Sequence, residues 1–144
     1  MLNGKFFQIN IAETFHLKKQ RFSFIAAIVW FIISTVLLTI PGSSLPKEDW
    51  LVKIWFDKWV HIGMFSIMVF FYCRAIHKKF TTIKKLKNAF LLIGLGCLLY
   101  GIGMEFVQKY FVANRSFDGG DIIADAVGCT VGFLYSNRKY HIKN

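Results

Sequence analysis

Apolar residues fall into four segments, and each is separated from the next by a polar stretch. The segments cover residues 22–40, 59–76, 89–107 and 122–135. The first three reach the roughly 17 to 20 residues that a helix needs to cross about 30 Å of hydrocarbon. The fourth spans only if its helix extends from Asp118 to Tyr140, which would place Asp121 and Asp125 in a wet or protein-lined cavity. The pattern predicts an all-α bundle of four transmembrane helices.

Composition supports a membrane protein. Of 144 residues, 55% are apolar and 17% aromatic, too many for the surface of a small soluble domain. The net charge of +10 does not indicate nucleic-acid binding, because the basic residues lie in loops between spans. We therefore expect the lipid bilayer as a partner, and no nucleic acid.

The loop charges predict the orientation. The amino-terminal stretch, the 74–87 loop and the carboxyl-terminal tail hold 13 of the 18 Lys and Arg, with Glu13 as their one acid. Because basic loops stay in the cytoplasm, both termini are expected inside. Residues 1–21 are then a cytoplasmic tail or interfacial helix, residues 22–140 the membrane domain, and residues 141–144 a cytoplasmic tail.

The region around the first apolar segment raises two further questions. At 19 residues the segment exceeds the 7 to 15 residues of a usual signal-peptide core, so we interpret it as a retained span rather than a cleaved signal. The tryptophan-containing stretch from Glu48 to Lys58 is predicted to form a short interfacial helix before the second span.

Small residues predict close packing of the helices. Ala124, Gly128 and Gly132 recur every four residues, so they share a helical face that a neighbouring backbone can approach. Four glycines in the third segment are expected to act similarly, namely Gly94, Gly96, Gly101 and Gly103. Exposed small-residue faces are also compatible with a homodimer. Three cysteines inside the spans match no zinc spacing and are expected to be packing residues.

Polar residues enter or flank these segments although hydrocarbon disfavours them. Within a segment they are three or four positions apart, so they can share one helical face. All lie at the predicted outer ends of the second to fourth spans, and Arg115 on the intervening loop can pair with a carboxylate. We expect one outward-facing polar pocket, formed by Asp57, Lys58, His61, Glu105, Gln108, Arg115, Asp121 and Asp125.

Each of these residues also has a structural interpretation. Asp57 suits the positive amino end of its helix, and Asp118 or Asp121 suits the capping position of the last helix. Lys58 can extend to the membrane surface. An unpaired charge deeper in the membrane costs ~2.5 to 3.5 kcal/mol, which favours a functional role for the deeper residues. These are His61, Glu105 and Asp125.

The order and spacing of three motifs over residues 57–132 resemble the VanZ-like integral membrane proteins. They are DKWVH at 57–61, EFVQ at 105–108 followed by Arg115, and Asp121-x3-Asp125-x2-Gly128-x3-Gly132. The family usually has Asn in place of Asp125, and it has a Pro-Gly turn that residues 112–114 lack. The resemblance implies a multi-pass protein of the bacterial cytoplasmic membrane, in the cell envelope, connected with tolerance of glycopeptides such as teicoplanin.

Three functions remain open. The leading hypothesis is binding of an envelope lipid or a lipid-tailed glycopeptide, with the acyl chain in an apolar groove and the headgroup in the polar pocket. The second is a hydrolase or transferase acting on a lipid-linked substrate. There His61 would be a base or metal ligand, Glu105 and Asp121 acids, bases or oxygen ligands, and Arg115 an anion clamp. The third is a scaffold in which buried ion pairs join the helices.

Cofactors and metals are not fixed by the sequence. No nucleophilic serine or closed metal motif selects a chemistry, so enzymatic activity and metal occupancy stay unknown. A single histidine with several carboxylates suits Mg, Mn or Zn if their positions converge. Because Asp125 adds a negative charge to the pocket, we expect either one carboxyl group to keep its proton or a cation to lie there.

Overall fold

The computed structural model describes residues 3–44 and 53–141. This part of the chain contains four α-helices and no strand. The helices are α1 (Asn3–Leu38), α2 (Phe56–Ile76), α3 (Ile83–Phe111) and α4 (Gly119–His141). Short 3-10 turns cover Gly42–Ser44 and His77–Lys79. The predicted all-α four-helix bundle is confirmed.

Three of the helices are long and apolar enough to cross a membrane. The qualifying stretches are Gln20–Leu38, Phe56–Lys79 and Ile83–Phe111. Helix α4 is not among them, because it carries Asp121 and Asp125 near one end and two basic residues near the other. Its 23 residues nevertheless give a length of about 34 Å at ~1.5 Å per residue, the length that the predicted fourth crossing requires.

The ends of the first two helices differ from the apolar segments. Residues 3–21 continue the same helix as the first apolar segment, so α1 is 36 residues long. Of the interfacial helix expected over residues 48–58, residues 48–52 lie outside the described part of the chain. Helix α2 begins at Phe56, directly after Trp55, whose φ of 56° is left-handed. The regular right-handed helix of α2 therefore starts after this residue.

Helices α2 and α4 run parallel and make the most extensive contact in the bundle. A Cβ atom on Gly128 or Gly132 would lie 2.6 Å from the carbonyl oxygen of Ile62 or Ser66, respectively, so only glycine permits this approach. The Ser66 hydroxyl also donates to the Gly128 carbonyl at 3.0 Å. Ala124 is buried beside them, so these small residues lie on the face of α4 that packs on α2.

The glycines of α3 do not act in the same way. Gly101 packs against Phe65 and Asp125, but a Cβ on Gly94, Gly96 or Gly103 would meet nothing within 4 Å. The expectation that all four bring α3 close to a neighbour is therefore wrong for those three. Homodimerisation through small-residue faces stays a prediction.

The outside of the bundle is apolar and its centre is tightly packed. Phe65, Met68 and Phe90 are almost completely buried, and all three cysteines are buried and unbridged, as expected of packing residues. Large apolar side chains on the outside remain exposed, including Phe22, Leu92, Leu99 and Ile123. Such a surface fits a lipid bilayer rather than water.

Helix α1 packs mainly against α2 and runs antiparallel to it. The Trp30 indole donates to the Met64 carbonyl at 3.0 Å, and the hydroxyls of Thr35 and Tyr100 are 2.8 Å apart. These bonds pair polar groups that hydrocarbon would leave unsatisfied. They hold the carboxyl-terminal third of α1 against the other helices.

Candidate functional site

Polar side chains gather at the end of the bundle where α2 and α4 begin and α3 ends. The most enclosed of them are at most 5% exposed, although all are polar or ionisable: His61, Glu105, Gln108, Asp121 and Asp125. Burial of such groups is tolerated only when they find hydrogen-bond or charge partners. The structure shows which partners each one has.

Lys58 links three carboxylates. Its ammonium group lies 2.6 Å from Asp121 Oδ1 and 3.1 Å from Asp57 Oδ2, and it also donates to Asp118. Only 14% of its side chain is exposed, so Lys58 is enclosed by these carboxylates and does not extend away from them as the structural interpretation allowed. A Cβ on Gly120 would come within 2.9 Å of Lys58 Cε, so a glycine there makes room for this side chain.

Asp118 begins α4 and connects it to two other helices. One carboxylate oxygen accepts the Gly120 backbone N–H at 2.7 Å, which confirms the predicted capping role, and the other accepts from Lys58. The hydrogen bond from Lys58 is the main reason that the pKa of Asp118 lies below its usual 3.8. The Asp118 backbone N–H donates to Glu105 Oε2 at 2.8 Å. Asp118 thus joins α2, α3 and α4.

His61 lies between two aspartates of α4. Its Nδ1 is 2.8 Å from Asp125 Oδ1, and its Nε2 is 3.8 Å from Asp121 Oδ2. The second Asp125 oxygen rests against Gly101, where a side chain would collide with it. The extra carboxylate at position 125 is therefore placed beside a histidine that can carry a positive charge.

We call the six residues joined by these ion pairs the ionic cluster. Its members are Asp57, Lys58, His61, Asp118, Asp121 and Asp125. The predicted convergence of the second and fourth segments is thus present. Lys58 and His61 face the carboxylates, and the Lys58 pairs with Asp57 and Asp121 are ion pairs of the kind that the scaffold hypothesis expects.

Gln108 and Glu105 lie one helical turn apart but bond to different parts of the chain. Gln108 donates to the Leu38 carbonyl, at the end of α1, at 2.9 Å. Glu105 accepts from the loop before α4, as described above. Both are 1% exposed. Gln108 was predicted in the polar pocket, and it instead ties α3 to α1.

Arg115 lies at the edge of the site. Its Nε donates to the Ile40 carbonyl at 3.4 Å, and no described carboxylate is within ion-pair distance of its guanidinium group. The expected pairing of Arg115 with a carboxylate is thus not seen among the described residues. The preceding residue, Asn114, has a left-handed φ of 55°, so it turns the loop that lacks the Pro-Gly pair.

Three carboxylates converge closely enough to suggest a metal. Oxygen atoms of Asp57, Asp118 and Asp121 lie within 4.8 Å of one another, and carboxylates suit Mg²⁺, Ca²⁺ or Mn²⁺. The Lys58 ammonium group already bonds to all three, so a metal ion would have to displace it. His61 is not part of this group. The arrangement fits an internal ion-pair network better than a metal centre.

A bundle of apolar helices with a buried ionic cluster at one end defines a small polytopic membrane protein. A sequence model of the VanZ/LLP1 family matches residues 5–139, nearly the whole length, and the chain belongs to this family. No curated protein and no solved structure matches the chain. The predicted family resemblance is therefore confirmed.

Proposed function

We propose that this VanZ-family protein acts in the bacterial cell envelope, in the cytoplasmic membrane. There it binds the polar headgroup of an envelope lipid, or of a lipid-tailed glycopeptide such as teicoplanin, and contributes to glycopeptide tolerance. The ionic cluster is the observation that carries the proposal. Apolar residues can replace buried ion pairs without loss of stability, so packing alone does not require this cluster. Binding of a polar ligand would account for its presence.

The proposed site has a rim and a floor. Asp57 and Asp118 have side chains that are 56% and 48% exposed, whereas Asp125 beneath them is 1% exposed. Ammonium, hydroxyl or amide groups of a ligand would reach the rim carboxylates. A phosphate or carboxylate would pair with Arg115, whose fork of donors matches such anions. The ligand's acyl chain would stay in the bilayer beside the apolar helices.

The predicted orientation supports an outer-face location for this site. The ionic cluster is at the end of the bundle opposite the 74–87 loop and the basic residues of α4, and basic loops favour the cytoplasm. Envelope lipids and glycopeptides act outside the cytoplasmic membrane. The proposed ligand and site are therefore on the same side.

A second candidate, hydrolysis or group transfer on a lipid-linked substrate, is favoured by the His61–Asp125 contact of 2.8 Å. A carboxylate on Nδ1 holds a histidine ring in one orientation and makes its Nε2 a better base. Nε2 faces Asp121, so a substrate would reach it only after the Lys58 pairs open. Glu105 would then serve as an acid.

The test is native mass spectrometry of the wild type and Arg115→Ala, each purified in mild detergent. Arg138→Ala is the matched control, because Arg138 is exposed on α4 at the opposite end. We expect a bound lipid, or added teicoplanin, to be retained by the wild type and the control and weakened in Arg115→Ala. Equal retention by all three folded proteins would reject Arg115 as a ligand residue.

An Arg115→Ala, Asp121→Asn double variant separates the remaining readings. Loss of ligand from a folded bundle supports binding, and a chemically altered ligand that the wild type forms and a His61→Ala variant does not form supports an enzyme. Loss of thermal stability and abundance, with no bound molecule in any form of the protein, supports the scaffold alternative.

A further inference from the structure

The end of the bundle opposite the ionic cluster contains a cavity of about 590 Å³, which we call the basic cavity. It lies where α2 and α4 end and α3 begins. Its polar lining includes Gln20, Arg74, His77, Lys78, Lys139 and Tyr140. We propose that this cavity binds the phosphate headgroup of an anionic phospholipid from the adjacent leaflet.

The charge of the lining is the first argument. Arg74, Lys78 and Lys139 come from the end of α2, the following 3-10 turn and α4, and no described acidic residue lines the cavity. No described carboxylate pairs with Arg74 or Lys139. Arg74 and Lys139 therefore bring positive charge to one cavity, and an anion held there would be attracted to both. Phosphate is the anion that arginine and lysine recognise together.

The walls of the cavity are held by contacts between separate elements. The Tyr140 ring stacks on His77 with centroids 4.2 Å apart, and His77 Nδ1 lies 2.7 Å from the Arg74 carbonyl oxygen. From α1, the Gln20 amide donates to the Ala75 carbonyl at 3.5 Å. Three helices and a turn thus hold the cavity in place. A preformed site loses less conformational entropy when it binds a ligand.

A second recess favours a lipid over free phosphate. It measures about 470 Å³, shares Gln20 with the basic cavity, and is also lined by Arg21, Phe24, Ile25 and Lys79. Lys79 lies over the Phe24 ring at 5.0 Å, and Ile25 is exposed on the lipid-facing side of α1. A headgroup in the basic cavity would therefore place its acyl chains beside Phe24 and Ile25. Basic pockets between transmembrane helices on the cytoplasmic side commonly hold anionic headgroups.

The test measures retention of phosphatidylglycerol by native mass spectrometry of the full chain in mild detergent. An Arg74→Gln, Lys139→Gln double variant removes two lining charges. The control, Lys84→Gln with Lys85→Gln, removes two exposed charges at the same end that do not line the cavity. We expect the double variant to raise the apparent Kd about tenfold or more, because charged hydrogen bonds are lost, and the control to leave it unchanged.

Two further arms distinguish the ligand's source. Phosphatidylcholine, which has no net charge, should not compete, and soluble glycerol 3-phosphate should compete only weakly because it lacks the acyl chains. Full competition by glycerol 3-phosphate would overturn the lipid assignment in favour of a free-phosphate site. Equal weakening by both double variants would overturn the cavity assignment in favour of general surface attraction.

Failure of the double variant to fold would not remove the test. Lys139 is exposed, so Lys139→Gln can be compared with Lys84→Gln, a single change of the same kind. Weaker phosphatidylglycerol retention by Lys139→Gln alone supports the proposal. Identical retention by the two single variants overturns it.

Discussion

The two ends of the bundle handle charge in opposite ways. At the ionic cluster, Lys58 and His61 face four aspartates, and every member has a partner inside the protein. At the basic cavity, like charges surround an open volume and no described acid lines it. The comparison teaches that a concentration of charged residues does not by itself mark a ligand site. An external anion is expected where the described lining of a cavity carries positive charge and no acid.

The largest expected effect is loss of the hub of the ionic cluster. Lys58→Met leaves three neighbouring carboxylates without their cation, and removing one partner of a buried ion pair costs about 3 to 5 kcal/mol. We expect a comparable fall in the free energy of unfolding in detergent. Arg138→Met, an exposed change at the opposite end, should stay within ~0.5 kcal/mol. Equal stability of the two variants would show that the cluster does not hold the helices together.

The second largest expected effect is a loss of stability when the contact between α2 and α4 is disrupted. These two helices run from the ionic cluster to the basic cavity. A Cβ added at Gly128 would lie 2.6 Å from the Ile62 carbonyl oxygen, so Gly128→Ala should destabilise the bundle by about 1 to 3 kcal/mol. Gly96→Ala is the control, because nothing lies within 4 Å of its Cβ position. Thermal unfolding in detergent measures both. A Gly128→Ala protein as stable as Gly96→Ala would mean that α2 and α4 can move apart at this contact without loss of stability.

The Asp125→Asn variant tests whether the stability of the cluster depends on the charge of Asp125 or only on its hydrogen bond to His61. The amide oxygen can still accept from His61 Nδ1–H, so we expect a change in unfolding free energy of about 1 kcal/mol or less. Asp125→Ala leaves His61 without this partner and should cost about 1 to 3 kcal/mol. If both variants lose the same stability, the charge of Asp125, rather than its hydrogen bond, matters.

The smallest expected effect is a pH dependence of stability that arises from Asp118 and is confined to acidic pH. The pKa of Asp118 is lower in the folded protein than its usual 3.8, so its contribution to stability is full well above pH 4 and is lost as the pH falls through the folded pKa. Asp118 is half exposed, so solvent screening limits the effect to a few tenths of a kcal/mol. Unfolding midpoints between pH 6 and pH 3 should fall less steeply for Asp118→Asn than for the wild type. Identical slopes would contradict the assignment.

Much of the fold could be predicted from the sequence, because apolar segment length and glycine spacing report directly on helices in lipid. The Gly128 and Gly132 face is an example, since a period of four residues fixes one side of α4. The helix ends were harder to predict. Residues 3–21 are polar enough to lack the apolar signal, yet they continue α1, whereas α4 has the extent that a fourth span requires.

Only part of the pairing in the candidate site could be predicted from the sequence. Three- and four-residue spacing indicates a shared face but not which partner a long side chain reaches. Arg115 was therefore expected beside a carboxylate. The loop before α4 positions Arg115, and its turn at Asn114 leaves no periodic signal in the sequence. The basic cavity was missed because lysines in a loop have the same pattern whether or not they surround a volume.

The carboxyl end of α1 depends for hydrogen bonds on residues that are synthesised much later in the chain. The last carbonyls of a helix have no partner within it, and here Leu38 and Ile40 receive theirs from Gln108 and Arg115, 70 and 75 positions further along the chain. A chain that emerges amino end first must therefore hold α1 in the membrane with these groups bonded to water or lipid until α3 arrives. These last hydrogen bonds at the carboxyl end of α1 therefore form only after α3 and the following loop have been made.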